Sequence, residues 1–262
     1  MKYISGIICL LIILGLTGDE YHLEKSIPFP QISFLTSDKL GDVYVVTANQ
    51  LLRFDQKGKP KMNFSENSLG ELRSVDVSNP LKPVLFYPDF AEILTLNAQL
   101  ALQSTIFLRS AGMVQPTLAC TALQDGFWVF DLQDFQLKKI DLNLQVVAQS
   151  GDISKILGHS ILPDFLVEAD GKVYLNDPAS GIHVFDLFGT YYKTIPILNL
   201  KNFQVVDDRI LFADGKSLRS YHLKTIAEEE ILLPQHDSLV QARIEQHQLY
   251  LLTNASLNFY SF

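Results

Sequence analysis

One pattern recurs six times along this chain, about every 40 residues, and it leaves few folds open. Each copy has a short apolar strand, a turn, an aromatic-rich strand, a second turn, and a strand ending near Asp or Asn. The clearest copy reads Phe165-Leu-Val-Glu-Ala, Asp170-Gly171, Lys172-Val-Tyr-Leu-Asn-Asp177, Gly181-Ile-His-Val-Phe-Asp186, then Tyr191-Tyr-Lys-Thr-Ile195. The second strands, among them Val84–Tyr87, Phe127–Asp131 and Gln248–Thr253, are rich in Val, Leu and aromatics. Such runs suit strands buried on both faces. Four short strands per unit, repeated, predict an all-β chain: a six-bladed β-propeller of four-stranded blades.

The sixth copy stops at Phe262, after its third strand. Tyr21–Pro28 reads as a strand and precedes the first full copy. A ring closed by that N-terminal strand would complete the last blade and leave no open edge. Asp-Gly and Asp-Asp pairs at Asp125-Gly126, Asp170-Gly171 and Asp207-Asp208 supply tight-turn chemistry between first and second strands.

Composition bounds the function. With 47% hydrophobic residues the chain is too apolar for disorder. A net charge of −8 without a basic stripe argues against nucleic acid and anionic membranes as partners. Lys2 precedes an apolar run from Ile4 to Leu16, and small residues follow at Gly15, Thr17 and Gly18. The expectation is a signal peptide over residues 1–18 and a single propeller domain over 19–262. An uncleaved anchor is the alternative. No second run is long enough to span a membrane. Beyond the signal only Cys120 remains, so no intrachain disulfide can form there, and its apolar neighbours read as a buried structural thiol.

Phe165 to Ile195 resembles an NHL-type propeller repeat. The whole chain from residue 21 is similar to a set of secreted six-bladed propellers of Bacteroidota. That likeness is carried by Ser74-Val-Asp-Val-Ser-Asn-Pro-Leu-Lys, Leu85-Phe-Tyr-Pro-Asp-Phe90, Asp125-Gly-Phe-Trp-Val-Phe-Asp131, Tyr174-Leu-Asn-Asp-Pro178 and Phe188-Gly-Thr-Tyr-Tyr-Lys-Thr-Ile-Pro196. The resemblance implies fold and export to the periplasm or outer membrane, and it implies no reaction.

Three groups of residues are candidates for a site. Asp131, Asp177 and Asp214 end second strands, with Asp89 close by. On a ring they would share one face, where converging carboxylates could hold Ca²⁺. Each could instead cap its own turn, as Thr47 and Thr253 could at similar positions. On the first strands, which line the channel, Arg243 would ion-pair with Glu168 or Asp76. Outside the channel, Tyr191 and Tyr192 form an aromatic edge, and His159 lies in the long link from Gln149 to Pro163. A third possibility, glycan or small-ligand recognition, would need exposed rings at Tyr87, Phe90 and Phe135. There is no G-x-S-x-G elbow, H-E-x-x-H pair or phosphate-binding glycine loop. The expectation is therefore a non-enzymatic, cofactor-free scaffold for another envelope protein. The alternative is a lactonase-like, calcium-dependent hydrolase or lyase with its site at the channel mouth.

Overall fold

In a computed structural model, which describes residues 21–29, 32–123 and 125–262, the chain forms six four-stranded antiparallel sheets. The expected signal segment, residues 1–18, lies outside the described residues. β1 (His22–Pro28) comes first in the chain and belongs to the last sheet. Blade 1 holds β2 (Phe34–Ser37), β3 (Val43–Thr47), β4 (Gln50–Phe54) and β5 (Pro60–Ser65). Blade 2 holds β6 (Ser74–Asp76), β7 (Val84–Tyr87), β8 (Glu92–Leu96) and β9 (Leu102–Phe107). Blade 3 holds β10 (Pro116–Thr121), β11 (Phe127–Asp131), β12 (Gln136–Ile140) and β13 (Val146–Gln149). Blade 4 holds β14 (Phe165–Ala169), β15 (Lys172–Asp177), β16 (Gly181–Phe185) and β17 (Tyr191–Ile195). Blade 5 holds β18 (Gln204–Val206), β19 (Arg209–Ala213), β20 (Leu218–His222) and β21 (Glu228–Ile231). Blade 6 holds β22 (Leu239–Glu245), β23 (Gln248–Thr253), β24 (Ser256–Ser261) and, as its outer strand, β1. This is the six-bladed propeller and the N-terminal closure that the repeat predicts.

Closure is antiparallel. His22 lies opposite Ser261 and Pro28 opposite Ser256, with a register shift between Leu23 and Lys25. The core is divided between the blades. Six apolar clusters form, each spanning two adjacent blades. Between blades 3 and 4, Trp128, Phe130 and Leu137 pack on Leu166, Val173, Leu175 and Phe185. The seam between blades 6 and 1 is as apolar as the others: Tyr250, Leu252, Leu257 and Phe259 meet Leu35, Val43, Val45 and Phe54. Each blade is thus covered on both faces, which is why its middle strands read as unbroken apolar runs.

The acidic ends of the third strands have one structural job. Asp55, Asn97, Asp141 and Asp186 each accept two backbone N–H groups from the turn that follows, at 2.8–2.9 Å. In blade 5, Nδ1 of His222 takes that place, accepting from Lys224 and Thr225. Such Asx-type bonds close a short turn without a long loop.

The link between blades 3 and 4 contains a helical turn that the strand pattern does not show, α1 (Ile153–Leu157). Asp152 caps it by accepting from the Lys155 N–H, and Gly158 ends it at φ +76°. Aspartate before and glycine after the turn are the local signal. Ile153 is fully buried and docks the turn on the seam between blades 3 and 4.

Candidate functional site

The inner strands enclose a channel with a cavity toward each end. Both cavities touch Phe34, Ser74, Ala119 and Phe165. One, of about 270 Å³, lies by the hairpins that follow the first strands, and Asp76, Cys120, Glu168, Gln204, Arg243 and Glu245 line it. The other, of about 890 Å³, lies at the opposite mouth, bordered by Arg73, Asp164, Lys201, Asp214, Leu198 and Val240. The Arg73 guanidinium donates across this mouth to the Asp164 carbonyl oxygen at 3.1 Å. Burial raises the Asp164 carboxyl above its usual range, although Asn176 donates to it at 2.7 Å.

The four candidate metal carboxylates do not converge. Asp131 is fully buried and accepts from the backbone of Val114, Gln115 and Gln133, with Lys138 at 3.5 Å. Asp177 accepts from the Ala179 N–H and the Ser180 hydroxyl. Asp214 accepts from Lys216 and Ser217, and the Ser217 bond leads the lowering of its carboxyl below the ordinary range. Asp89 accepts from the Glu71 N–H at 3.4 Å. Thr253 closes the equivalent turn in blade 6, accepting from Ala255 and Ser256. Among the described residues no group of three His, Cys, Asp or Glu side chains is placed to hold a metal ion.

The channel candidates share one cavity, yet the expected ion pair is absent. Glu168 accepts the Trp128 indole N–H at 2.7 Å and the Leu123 N–H at 3.3 Å. Asp76 accepts from Thr121 at 2.7 Å and from Ser78 at 2.9 Å. Both carboxylates thus bind blade 3, whereas Arg243 stands on blade 6 and pairs with neither. An ion pair that sequence would place across the channel is replaced by bonds to the neighbouring blade. Glu245, absent from the sequence candidates, is the acid coupled to Arg243: burial pushes its carboxyl up to about 7, with the Arg243 charge opposing. Strand alternation, which puts Glu245 on the same face as Arg243 two residues before it, is the signal that could have found it. Burial, with Glu245 opposing, also lowers the Arg243 guanidinium to about 10. Cys120 is buried, and desolvation raises its thiol, as its apolar context implies.

Glu245 makes stability depend on pH. A carboxyl raised in the fold favours folding while protonated, so this contribution is complete below about pH 4.5 and is lost as pH rises through 7. His183 acts in the opposite sense, because burial holds it down to about 4 and its contribution is lost as pH falls from 6.5 through 4. Glu245→Gln removes only the first effect. Urea unfolding should find the variant about 2 kcal/mol more stable than wild type at pH 8, after allowance for solvent screening, and nearly equal at pH 5. An equal gap at both pH values would refute the assignment.

On the outer edge of blade 4, Tyr191 and Tyr192 diverge. Tyr191 is half-buried against Phe185, and its hydroxyl is 2.8 Å from Thr194. Thr194 in turn meets His183 Nδ1, whose Nε2 meets Ser180. Tyr192 is 63% exposed, with the Lys172 ammonium 4.8 Å from its ring centroid. His159 is exposed, with Nδ1 3.2 Å from the Leu157 carbonyl oxygen, and lies near enough to His183 to lower it further. Of the three rings a glycan face would use, Phe90 is exposed. Tyr87 is fully buried and Phe135 packs into the seam between blades 3 and 4.

No family model and no curated protein sequence matches the chain. Solved structures of similar fold include a streptogramin B lyase, at 12% identity and TM-score 0.61, covering 92% of this chain and 97% of that one. A catalytically inactive virginiamycin B lyase from Staphylococcus aureus with quinupristin aligns at 11% identity and TM-score 0.58, over 89% of this chain and 81% of that one. The Pan2 WD40 domain of Neurospora crassa aligns at 10% identity and TM-score 0.65, over 92% and 95%. At these identities the likeness is one of propeller fold.

Proposed function

We propose that this chain is an exported, non-enzymatic propeller that binds another protein of the bacterial cell envelope. The observation that carries this reading is the exposed outer hairpin of blade 4. Phe188 is 78% exposed and Tyr192 63% exposed, on one hairpin, with Lys172 and Lys193 beside the tyrosine ring. Exposed aromatic side chains are enriched among those that anchor protein interfaces. Export rests on the apolar run from Ile4 to Leu16, and kinship with secreted Bacteroidota propellers on the repeat segments quoted above.

A lyase reading draws on the two lyases of similar fold. One is inactive with a histidine replaced by alanine. No histidine borders either channel cavity of this chain. The candidate metal carboxylates and Asp164 are engaged by donors of the protein: Asp177 and Asp214 in their own turns, Asp131 and Asp89 by backbone N–H groups, Asp164 by Asn176. Both observations favour binding over catalysis. The double variant Phe188→Glu, Tyr192→Glu should cut recovery of the partner from native membranes at least tenfold while leaving the melting temperature unchanged. Equal recovery by wild type and variant, or background alone with wild type, would refute the proposal.

A further inference from the structure

Four polar side chains of the inner strands follow a rule that Arg243 does not share. Ser74 donates to the Ala119 carbonyl, and Asp76 accepts from the Thr121 N–H. Gln204 bonds both the N–H and the carbonyl of Ile244, and Gln241 donates to the Leu35 carbonyl at 2.7 Å. Each reaches the inner strand of the next blade. Arg243, two residues beyond Gln241, is only 7% exposed, yet its Nε has no hydrogen-bond partner. It pairs with no described carboxylate, and it lines the cavity of about 270 Å³. A buried cation without a partner is costly, so something polar should meet it there.

Charge decides what that is. Asp76, Glu168, Asp170 and Glu245 border the same cavity, against Lys39 and Arg243. A bare anion drawn to Arg243 would be set against these carboxyl groups, whereas a zwitterion adds no net charge. Arg243 and Glu245 are two residues apart on β22, so they share a face, with Cα atoms about 6.6 Å apart along the strand. Glu245 Oε1 accepts from Gln204 and Ser37, while Oε2 takes no hydrogen bond from the described residues. We propose that this cavity binds a small free amino acid, its carboxylate held by the Arg243 guanidinium and its ammonium by Glu245. The planar fork of Arg243 suits a two-point bond to a carboxylate.

Titration calorimetry of the whole protein with L-alanine tests this, with propionate and ethylamine as probes that keep one charge each. Alanine should bind saturably at one site per chain, and each single-charge probe at least tenfold more weakly. Arg243→Leu should lose alanine binding at least tenfold. Glu245→Gln, which keeps its hydrogen-bonding oxygen and so should fold whatever Arg243→Leu does, should weaken alanine at least fivefold without weakening propionate. Propionate binding as tightly as alanine, or no saturable heat at tens of millimolar alanine, would overturn the proposal. So would unchanged alanine affinity in Glu245→Gln. These outcomes are independent of whether a protein docks on blade 4.

Discussion

Asp131→Ala is expected to destabilise the protein by about 3–5 kcal/mol, among the largest single-site effects available in this chain. Asp131 is fully buried and takes three backbone N–H groups, from Val114, Gln115 and Gln133. Two of these belong to the link that brings the chain into blade 3, so one carboxylate ties that link to the β11–β12 turn. Lys138 is also buried, 3.5 Å from Asp131, and shares its charge with the half-exposed Asp134. Alanine leaves the three donors without an acceptor and the ammonium with one partner fewer. For a domain of this size the melting temperature should fall by about 10 °C. Trp128 fluorescence reports the same blade during urea unfolding. The experiment also separates the two uses of the carboxylate. Millimolar calcium should leave the wild-type midpoint unchanged, since Asp131 is already taken up by the Val114, Gln115 and Gln133 N–H groups. A calcium-dependent rise that disappears in Asp131→Ala would identify a metal ligand instead.

Removing β1 is the second large perturbation. Deleting residues through Pro28 would strip the outer strand from blade 6 and expose the backbone of β24 from Ser256 to Ser261. The side chains of β1 are mostly exposed, so the strand acts through its ladder more than through burial. Ile27 is the exception, packing on the seam between blades 6 and 1. At about 1 kcal/mol per backbone hydrogen bond the loss amounts to several kcal/mol, and an open strand edge invites pairing between chains. The truncated protein should melt at least 10 °C lower and run as dimers or larger species in size-exclusion chromatography with light scattering. A synthetic peptide of residues 21–29 should restore the monomer by strand addition. A monomeric truncated chain of wild-type stability would show that β1 seals nothing.

Legibility in the sequence followed the range of the interaction. The repeat exposed the blade count and the closure strand because strand periodicity and turn residues are local. It did so even where the turn chemistry was disguised. Gln246-His247 and Ala48-Asn49 adopt the same left-handed pair, at φ +47° and +64° and at φ +45° and +64°, as Asp170-Gly171. Asn49 and His247 tolerate that conformation, but Ala48 and Gln246 carry no such mark; flanking strands impose it there. The α1 turn was hidden because five residues are too few for helical periodicity, and only Asp152 and Gly158 signalled it.

The site residues divide in the same way. That Asp131, Asp177 and Asp214 end second strands could be read from the chain; whether they face the channel or their own loops could not. Their hydrogen bonds go to nearby loops: Asp177 and Asp214 take groups two or three residues onward, and Asp131 adds the Val114 and Gln115 N–H groups of the link into its blade. Arg243 could be assigned to an inner strand from its place in the repeat. Its lack of a partner was decided by tertiary structure, because Asp76 and Glu168 are both bound to blade 3. The sixfold repeat by itself therefore determined the ring, its closure and the turns, all of which rest on contacts between neighbours in the chain or on strand pattern. Only the assembled ring decided that Asp76 and Glu168 turn away from the buried guanidinium and how far burial raises the Glu245 carboxyl beside it, because these depend on which blades face each other and on how much water the channel retains.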